Sequence, residues 1–225
     1  MVGEQRLSVV TVSWRTGKRL MDSVKSVLAA PNVDEFVLVN HDNPVETVAE
    51  LRDLAAENPK FTLVETGANL GFGKGCNLGA EAATGDLLLF LNPDAVLVPS
   101  TAARLKESAR RMNGGDWVIG GRILNSDGTE QRGARRGELT PITAASSFMG
   151  LDRVSVGPHS IHWEKDPLPD DMIVVPAVSG AAMMMRRDVF DKIGGFDERY
   201  FLHVEDIDLC RTVREQGGEV WFEPR

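Results

Sequence analysis

The chain is poor in cysteine and in long apolar runs. Only two of its 225 residues are cysteines, Cys76 and Cys210, which are too few for a disulfide framework and fit no metal-ligand spacing. No stretch of about 18 consecutive apolar residues occurs, so the sequence predicts no membrane span. The first residues, MVGEQR, lead directly into a strand pattern rather than a secretory signal, and we expect a cytoplasmic protein in a reducing compartment.

An excess of positive charge is also missing. Lysine and arginine number 25 against 33 acidic residues, a net charge of −8, which argues against nucleic acid as the main partner. The hydrophobic fraction of 42% is ordinary for a folded domain and excludes a disordered chain. One segment, residues 100–140, is basic, with eight basic against five acidic residues. This uneven distribution predicts local contacts with an anion rather than a polyanion-binding surface.

What is present is a regular alternation of strand and helix patterns in the first half. Short apolar or β-branched runs predict strands, and the apolar spacing between them predicts helices of about ten or more residues. The predicted strands are Leu7–Ser13, Glu35–Asn40, Phe61–Glu65 and Asp86–Leu91, and the predicted helices are Lys18–Ala29, Pro44–Glu57, Gly73–Ala83 and Pro99–Arg111. Parallel strands need such crossovers, so this order predicts an α/β fold with a mostly parallel central sheet flanked by helices.

The second half has a different character. Its predicted elements are a strand and turn over Trp117–Leu124, a turn over Asn125–Gly128, strand segments within Ile173–Arg187, a turn at Gly194, a helix over Glu205–Gln216 and a last strand over Glu219–Phe222. Residues 133–171 lack periodicity and contain four prolines, which favours a long mobile segment. Since no repeat or linker is visible, one domain over residues 1–225 is the simplest partition.

A glycine-rich segment, Asn69–Asn77, opens the third predicted helix. Its glycines allow positive φ angles and close approach of another group, and the N–H groups at a helix N-terminus attract anions. Asn69, Gly73, Lys74 and Asn77 are therefore candidate ligand contacts, with a purely structural turn as the alternative. A dinucleotide-binding fingerprint belongs after the first strand, where the chain reads SWRTG, so the sequence disfavours a dehydrogenase.

The motif Asn92-Pro93-Asp94 follows the apolar fourth strand directly. In open α/β sheets, ligands collect at the carboxyl ends of strands. Asp94 is therefore well placed to hold a divalent cation together with diphosphate oxygens. A turn in which Asp94 caps the next helix explains the motif equally well.

Charged residues form two further candidate groups. The run Glu205-Asp206-Ile207-Asp208 begins a helix, where three acids are favourable to the helix dipole alone. The functional alternative is that one carboxylate faces a cleft as a general base. In the basic segment, Arg135 and Arg136 match phosphate geometry, with a solvated loop as the alternative.

Taken in order, these segments resemble the family-two inverting glycosyltransferases, a group that includes bacterial rhamnosyltransferases. The resemblance lies in VVTVSW (residues 9–14), NLGFGKGCNLG (69–79), LLFLNPD (88–94), VSGAAMMMRR (178–187) and FDKIGGFDERYFLHVEDIDLC (190–210). It implies a GT-A-type nucleotide-diphospho-sugar transferase fold. Residues 1–98 would form the nucleotide-sugar-binding half, and residues 99–225 the acceptor and catalytic half.

The resemblance also implies residue roles. Asp94 would ligate Mg²⁺ or Mn²⁺ on the donor diphosphate, and Asp206, with Glu205 beside it, would be the catalytic base. In the family the second strand ends in Val-Asp-Asn, with the Asp facing the nucleotide base, and here Asn40 or Asp42 would take that place. The remaining donor contacts would be Ser13, Trp14, Arg15, Asn69, Gly73, Lys74, Asn77, Asn92, Arg135 and Arg136.

The reaction implied is metal-dependent transfer of a sugar from a nucleotide sugar, with dTDP-rhamnose as one candidate donor. The implied acceptor is a glycan or polyprenyl-linked molecule in surface polysaccharide synthesis, which is compatible with peripheral contact at the inner face of the plasma membrane. Many relatives continue past the position of Arg225, so we expect a C-terminal tail to be absent here. Two alternatives stay open, a nucleotidyltransferase and a non-catalytic nucleotide-sugar-binding module.

Overall fold

A computed structural model describes residues 5–112, 114–138 and 163–225. Within these ranges the strands are β1 (Leu7–Ser13), β2 (Glu35–Asn40), β3 (Phe61–Glu65), β4 (Leu87–Leu91), β5 (Trp117–Gly121), β6 (Arg135–Arg136), β7 (Ile173–Val174), β8 (Ala177–Val178), β9 (Ala182–Arg186) and β10 (Glu219–Glu223). The helices are α1 (Arg19–Ala29), α2 (Val45–Glu57), α3 (Phe72–Ala82), α4 (Thr101–Arg111), α5 (Arg187–Ile193) and α6 (Glu205–Glu215). None of the helices in these ranges has both the length and the apolar character needed to cross a bilayer.

Eight of the strands form one mixed sheet in the order β3-β2-β1-β4-β9-β5-β10-β7. Strand β1 pairs in parallel with β2 and β4, β2 with β3, and β5 with β10. Strand β9 runs antiparallel to β4 and β5, and β7 runs antiparallel to β10. The predicted α/β class with a flanked central sheet is confirmed, and four of the seven pairings in this sheet are parallel.

The central strands are apolar on both sides because both faces of the sheet are covered. All seven residues of β1 and all five of β4 are buried. Val10 and Val12 belong to a core cluster that includes Cys76 of α3, whereas Val9 belongs to a second cluster that includes Leu20 of α1. Burial on both faces is typical of parallel sheets in α/β folds.

Helix α3 lies against β1 at a distance that only glycine permits. A Cβ at Gly79 would lie 2.3 Å from Cγ1 of Val10, and a Cβ at Gly75 would lie 2.6 Å from Cγ1 of Val12. The glycine-rich segment is therefore required for packing, whatever it binds. This packing places the N-terminus of α3 at the edge of the sheet where the parallel strands end.

The observed elements differ from the predicted ones in a few places. The predicted bounds of β1, β2 and β3 are confirmed, and the other elements of the first half shift by one or two residues. Sequence periodicity does not predict α5, since seven residues make only about two helical turns. Most of the predicted mobile segment 133–171 falls on residues 139–162, which lie outside the described residues. In its described part, Arg135 and Arg136 form β6, which pairs with β8.

Two adjacent glycines in β5 allow a matched test of this packing. A Cβ at Gly120 would lie 2.4 Å from the Cβ of Val178, whereas the nearest atom to a Cβ at Gly121 would be 3.7 Å away. We expect Gly120→Ala to lower the free energy of unfolding by about 1–3 kcal/mol, because the added methyl group overpacks the core. Gly121→Ala should leave this free energy unchanged or raise it by up to about 1 kcal/mol. Urea denaturation measures both, and equal losses for the two variants would contradict the close contact.

Candidate functional site

Several loops meet at the edge of the sheet where β1, β2 and β4 end. The N–H of Asn92 donates to the carbonyl of Ala181 at 3.0 Å, which joins the loop after β4 to the turn before β9. A cleft of about 330 Å³ opens at this edge. Its lining includes Phe72, Asn92, Arg132, Arg136, Gly180 and the segment 202–206. The cleft thus brings together Asn92, Arg136, Glu205 and Asp206, which the sequence singled out in separate motifs.

Asp206 lies on the cleft wall in the first turn of α6, and 8% of its surface is exposed. Its Oδ2 accepts a hydrogen bond from the N–H of Gly180 at 3.0 Å, and its Oδ1 accepts one from the N–H of Ile207 at 2.8 Å. Nη1 of Arg136 lies 3.3 Å from both carboxylate oxygens. These donors hold the carboxylate in one orientation. An ionised carboxylate offers about four lone-pair sites, so it can accept a further hydrogen bond.

Glu205, the neighbouring carboxyl group, is buried without being fully hydrogen bonded. Its Oε2 has no hydrogen-bond partner among the described residues. Burial raises the pKa of Glu205 above its usual value, and the negative charge of Asp206 adds to the effect. Its own backbone N–H, His203 and Arg136 oppose the rise. The two adjacent carboxyl groups therefore occupy different environments, one well supplied with donors and the other desolvated.

The two candidate arginines point to different places. Arg136 contacts Asp206 in the cleft, and its Nε donates to the carbonyl of Gly133 at 2.9 Å. Arg135 is buried, its Nε lies 2.9 Å from Oε1 of Glu130, and its guanidinium group packs over the ring of Phe222. Since Arg135 also donates to backbone carbonyls, its donors are used inside the protein. That Arg135 contacts the nucleotide sugar stays a prediction.

Close contacts join the glycine-rich segment to the chain that leads into α6. The N–H of Phe72 donates to the carbonyl of Phe201 at 3.0 Å. Gly71 has a φ of 91°, and a Cβ there would lie 2.7 Å from the same carbonyl oxygen. Asn77 donates to the carbonyl of Phe196 and accepts from its N–H, both at 2.9 Å. The amide of Asn77 therefore holds the two segments together, and its predicted role as a donor contact stays a prediction.

The other candidates of the glycine-rich segment lie around these contacts. Lys74 pairs with Glu198 at 3.0 Å on the surface. A Cβ at Gly73 would lie 3.2 Å from the Cβ of Phe196, so little room exists beside this glycine. Oδ1 of Asn69 accepts a hydrogen bond from the N–H of Gly71 at 3.0 Å. None of these three contacts excludes a ligand, and their donor roles stay predictions.

A buried polar network lies at the ends of β1 and β2. Nδ2 of Asn43 lies 2.7 Å from Oδ1 of Asn40 and 3.0 Å from both the carbonyl and the hydroxyl oxygen of Ser13. His41, which hydrogen-bonds to Asn69, has a lowered pKa because it is buried. This network fixes the ends of the two strands, and the sequence reading missed Asn43 as its centre. In the sequence, only its turn-forming neighbours Asp42 and Pro44 indicated that Asn43 lies in a turn where its side chain could bond to the backbone.

Three exposed candidates lie beside this network. Nη2 of Arg15 pairs with Oδ2 of Asp42 at 2.9 Å, and the guanidinium group of Arg15 lies 5.9 Å from the ring centre of Trp14. Arg15 and Asp42 have left-handed φ angles of 48° and 52°. The first-strand loop and the second-strand loop therefore meet, as the predicted nucleotide contacts require.

Asp94 is exposed in the turn after β4, and its carboxylate makes no hydrogen bond or ion pair with another described residue. Across the described ranges, no three His, Cys, Asp or Glu side chains gather to form a metal-binding group. A single carboxylate can still hold Mg²⁺ or Mn²⁺ when phosphate oxygens and water complete the shell. The residues present therefore fit a cation shared with a diphosphate rather than one held by the protein alone.

The raised pKa of Glu205 predicts how stability depends on pH. The folded state binds this proton more tightly than the unfolded state, so its contribution is present at low pH and is lost as pH rises from the usual glutamate value through the raised folded value. We expect Glu205→Gln to be more stable than the wild type at neutral pH, with the difference shrinking toward pH 4. Asp206→Asn is the matched control and should lose stability at neutral pH, because one amide oxygen cannot replace two carboxylate oxygens. Urea denaturation across pH measures both variants, and a destabilised Glu205→Gln at neutral pH would contradict the burial of a charge.

Known relatives match most of the chain. The family model described as Glycosyl transferase family 2 matches residues 8–194. The chain is 28% identical to the N-acetylglucosaminyl-diphospho-decaprenol L-rhamnosyltransferase of Mycobacterium tuberculosis, over 94% of this chain and 71% of that protein. It is 23% identical to the rhamnosyltransferase WbbL of Escherichia coli, over 90% of this chain and 76% of that protein.

Solved structures share the fold. A crystal structure of GalNAc-T7 with UDP, GalNAc and Mn²⁺ matches with a TM-score of 0.72 and 19% identity, over 100% of this chain and 43% of that one. The mannosyltransferase PcManGT from Pyrobaculum calidifontis, in complex with GDP-Man and Mn²⁺, matches with a TM-score of 0.65 and 15% identity, over 99% of this chain and 58% of that one. The chain thus spans about half the length of these solved chains, and the predicted GT-A-type fold is confirmed. Because the family model covers residues 8–194 of 225, the chain belongs to glycosyl transferase family 2.

Proposed function

We propose that this chain is a metal-dependent inverting glycosyltransferase that moves a sugar from a nucleotide sugar to a glycan or polyprenyl-linked acceptor. The observation that carries the proposal is the oriented carboxylate of Asp206 on the wall of the cleft. Family membership supports the reaction class. Two relatives named as rhamnosyltransferases support rhamnose as the sugar, and dTDP-rhamnose is the donor that we propose for it.

Asp206 acts as the general base. The acceptor hydroxyl donates a hydrogen bond to the carboxylate, and its proton moves to Asp206 as the acceptor oxygen attacks the anomeric carbon. The bond from that carbon to the diphosphate oxygen breaks in the same step. Since attack comes from the face opposite the leaving group, the anomeric configuration inverts without a covalent intermediate.

Glu205 supports this base from the neighbouring position. Burial and the negative charge of Asp206 raise its pKa, so Glu205 gives up its proton less readily than an ordinary glutamate. Nη1 of Arg136 lies 3.3 Å from the carboxylate oxygens of Asp206. Arg136 would then stabilise the charge that develops on the leaving group, which is where fixed positive charge contributes most to catalysis.

The donor diphosphate would lie at the turn after β4. Asp94 would hold Mg²⁺ or Mn²⁺ there, and the cation would neutralise diphosphate charge when bound. Asn92 lines the cleft two residues before Asp94 and offers an amide to the same group. The ends of β1 and β2, which are fixed by the hydrogen bonds of Asn43, would receive the nucleoside, with the exposed ring of Trp14 available for stacking.

A lipid-linked acceptor is the finer part of the proposal. The Mycobacterium tuberculosis relative is named for a diphospho-decaprenol acceptor, which supports the same class of acceptor for this chain. Such an acceptor resides in a membrane, and its use would bring the protein to the inner face of the plasma membrane as a peripheral protein. A role in surface polysaccharide synthesis follows from that acceptor.

Two substitutions distinguish the role of Asp206 as general base from the role of Asp94 as metal ligand. Asp206→Asn cannot accept the proton, so we expect kcat to fall by about 10²- to 10⁴-fold while Mn²⁺-dependent binding of dTDP-rhamnose changes little. Asp94→Asn should weaken that binding, because a neutral amide is a poorer ligand for a divalent cation than a carboxylate. Initial rates with N-acetylglucosaminyl-diphospho-decaprenol and calorimetric titrations with and without Mn²⁺ measure the two effects.

The same assays distinguish the alternatives. Full turnover by Asp206→Asn would overturn the assignment of the base. A wild-type chain that binds nucleotide sugars but transfers nothing would be a non-catalytic binding module. Release of pyrophosphate from a nucleoside triphosphate would identify a nucleotidyltransferase instead.

A further inference from the structure

The segment 201–204, Phe201-Leu202-His203-Val204, forms one rim of the cleft and is called here the apolar rim. Its three apolar side chains are turned to solvent: 59% of Phe201, 57% of Leu202 and 41% of Val204 is exposed. Leu202, His203 and Val204 line the cleft next to Glu205 and Asp206. Apolar side chains that are exposed to water do not stabilise the folded chain. Because Phe201, Leu202 and Val204 lie close together beside a cleft, their exposure indicates a binding surface.

The backbone of the apolar rim is held in an unfavourable conformation. His203 and Val204 have left-handed φ angles of 70° and 74°. This region is disfavoured for residues other than glycine, and a β-branched valine is among the least suited to it. Strain of this kind persists where the surroundings enforce it, which is commonly at functional sites.

Contacts at both ends of the apolar rim enforce this conformation. At its start, the carbonyl of Phe201 accepts the N–H of Phe72 at 3.0 Å and lies against Gly71. At its end, the carbonyl of Val204 accepts the N–H of Asp208 at 2.9 Å, which is the first turn of α6. The apolar side chains are therefore presented outward by a fixed backbone rather than by a loose loop.

Exposed apolar side chains also occur outside the apolar rim. Of ten large hydrophobic side chains that are exposed among the described residues, seven belong to the rim or to the segments that follow β1, β2 and β4 in the chain: Trp14, Val45, Val96, Val98, Phe201, Leu202 and Val204. Two arginines, Arg132 and Arg136, line the cleft beside the apolar rim. An apolar rim next to guanidinium groups is complementary to a ligand that joins an anionic group to a hydrocarbon chain.

We propose that the apolar rim binds the isoprenoid units next to the diphosphate of a polyprenyl-diphosphate-linked acceptor. This inference rests on the proposed function and adds to it the surface that recognises the lipid part of the acceptor. The acceptor sugar then lies at Asp206, its diphosphate lies near Arg132, and its hydrocarbon chain lies over Phe201 and Leu202. The rim thereby selects lipid-linked over free acceptors.

Two other occupants fit the observations less well. Three side chains are too few to form a stable contact with a second copy of the chain, since specific protein interfaces bury about 1,200–2,000 Å² in total. Adsorption to an anionic membrane surface is disfavoured by the net charge of −8. The isoprenoid chain needs only a small apolar surface beside a group that can meet a diphosphate, and the rim lies next to the arginines of the cleft.

The test uses a double substitution and a matched control. Phe201→Ser with Leu202→Ser removes the two most exposed side chains of the rim. Leu168→Ser with Val174→Ser removes two exposed apolar side chains that do not line the cleft. All four positions are exposed, so both variants should retain the stability of the wild type in urea denaturation.

Binding is measured by flotation with phosphatidylcholine vesicles, with or without decaprenyl diphosphate. We expect the rim variant to lose roughly tenfold or more in affinity for vesicles that contain decaprenyl diphosphate, whereas the control variant retains wild-type affinity. Kinetics supply a second readout: the rim variant should raise KM for N-acetylglucosaminyl-diphospho-decaprenol without a matching rise for N-acetylglucosaminyl diphosphate, which lacks the lipid.

Several results would overturn the inference. If the rim variant bound decaprenyl diphosphate vesicles as tightly as the wild type, Phe201 and Leu202 would not contact the lipid. If it lost equal affinity for vesicles without decaprenyl diphosphate, the rim would contact the bilayer in general. A change of oligomeric state in the rim variant would point to a second copy of the chain. The flotation assay needs no turnover, so a chain that binds decaprenyl diphosphate through the rim but transfers no sugar would contradict the proposed function alone.

Discussion

The two halves of this site are held together by a close contact between the carbonyl group of Phe201 and Gly71, where only a residue without a side chain fits. At Gly71 a Cβ would lie 2.7 Å from the carbonyl oxygen of Phe201, and the N–H of Phe72 donates to that oxygen at 3.0 Å. Asn77 makes a second such connection through the backbone of Phe196. As a result, the segment expected to bind the donor and the segment that carries Glu205 and Asp206 are fixed with respect to each other.

The position of Asp206 depends on this connection and on one further turn. The turn between β8 and β9 presents the N–H of Gly180 to the carboxylate, and a Cβ at Gly180 would lie 3.3 Å from the Cβ of Asp206. Arg136 arrives from the short sheet that pairs β6 with β8. Three parts of the chain that are far apart in sequence therefore orient one carboxylate.

Much of the fold could be predicted because the strands are short, apolar and regularly spaced. The bounds of β1, β2 and β3 follow from that pattern, and the glycine-rich run indicated the start of α3 to within one residue. The pairing of β9 between β4 and β5 could not be predicted, since periodicity carries no information about which strands become neighbours.

The sequence could single out candidate site residues but could not predict how they are arranged. Asp206 and Arg136 were singled out separately, and both lie in the cleft. Arg135, one residue away, faces the interior and pairs with Glu130, because alternate residues of a strand point to opposite sides. The left-handed backbone at Val204 has no sequence signal, since a β-branched residue disfavours it.

The central claim is that one cleft transfers a sugar with direct displacement at the anomeric carbon. Proton NMR of the product formed from dTDP-rhamnose tests this most directly, because it reports the configuration of the new glycosidic bond relative to that of the donor. The account predicts inversion, with Asp206 taking the proton of the attacking hydroxyl. A product with retained configuration would contradict it.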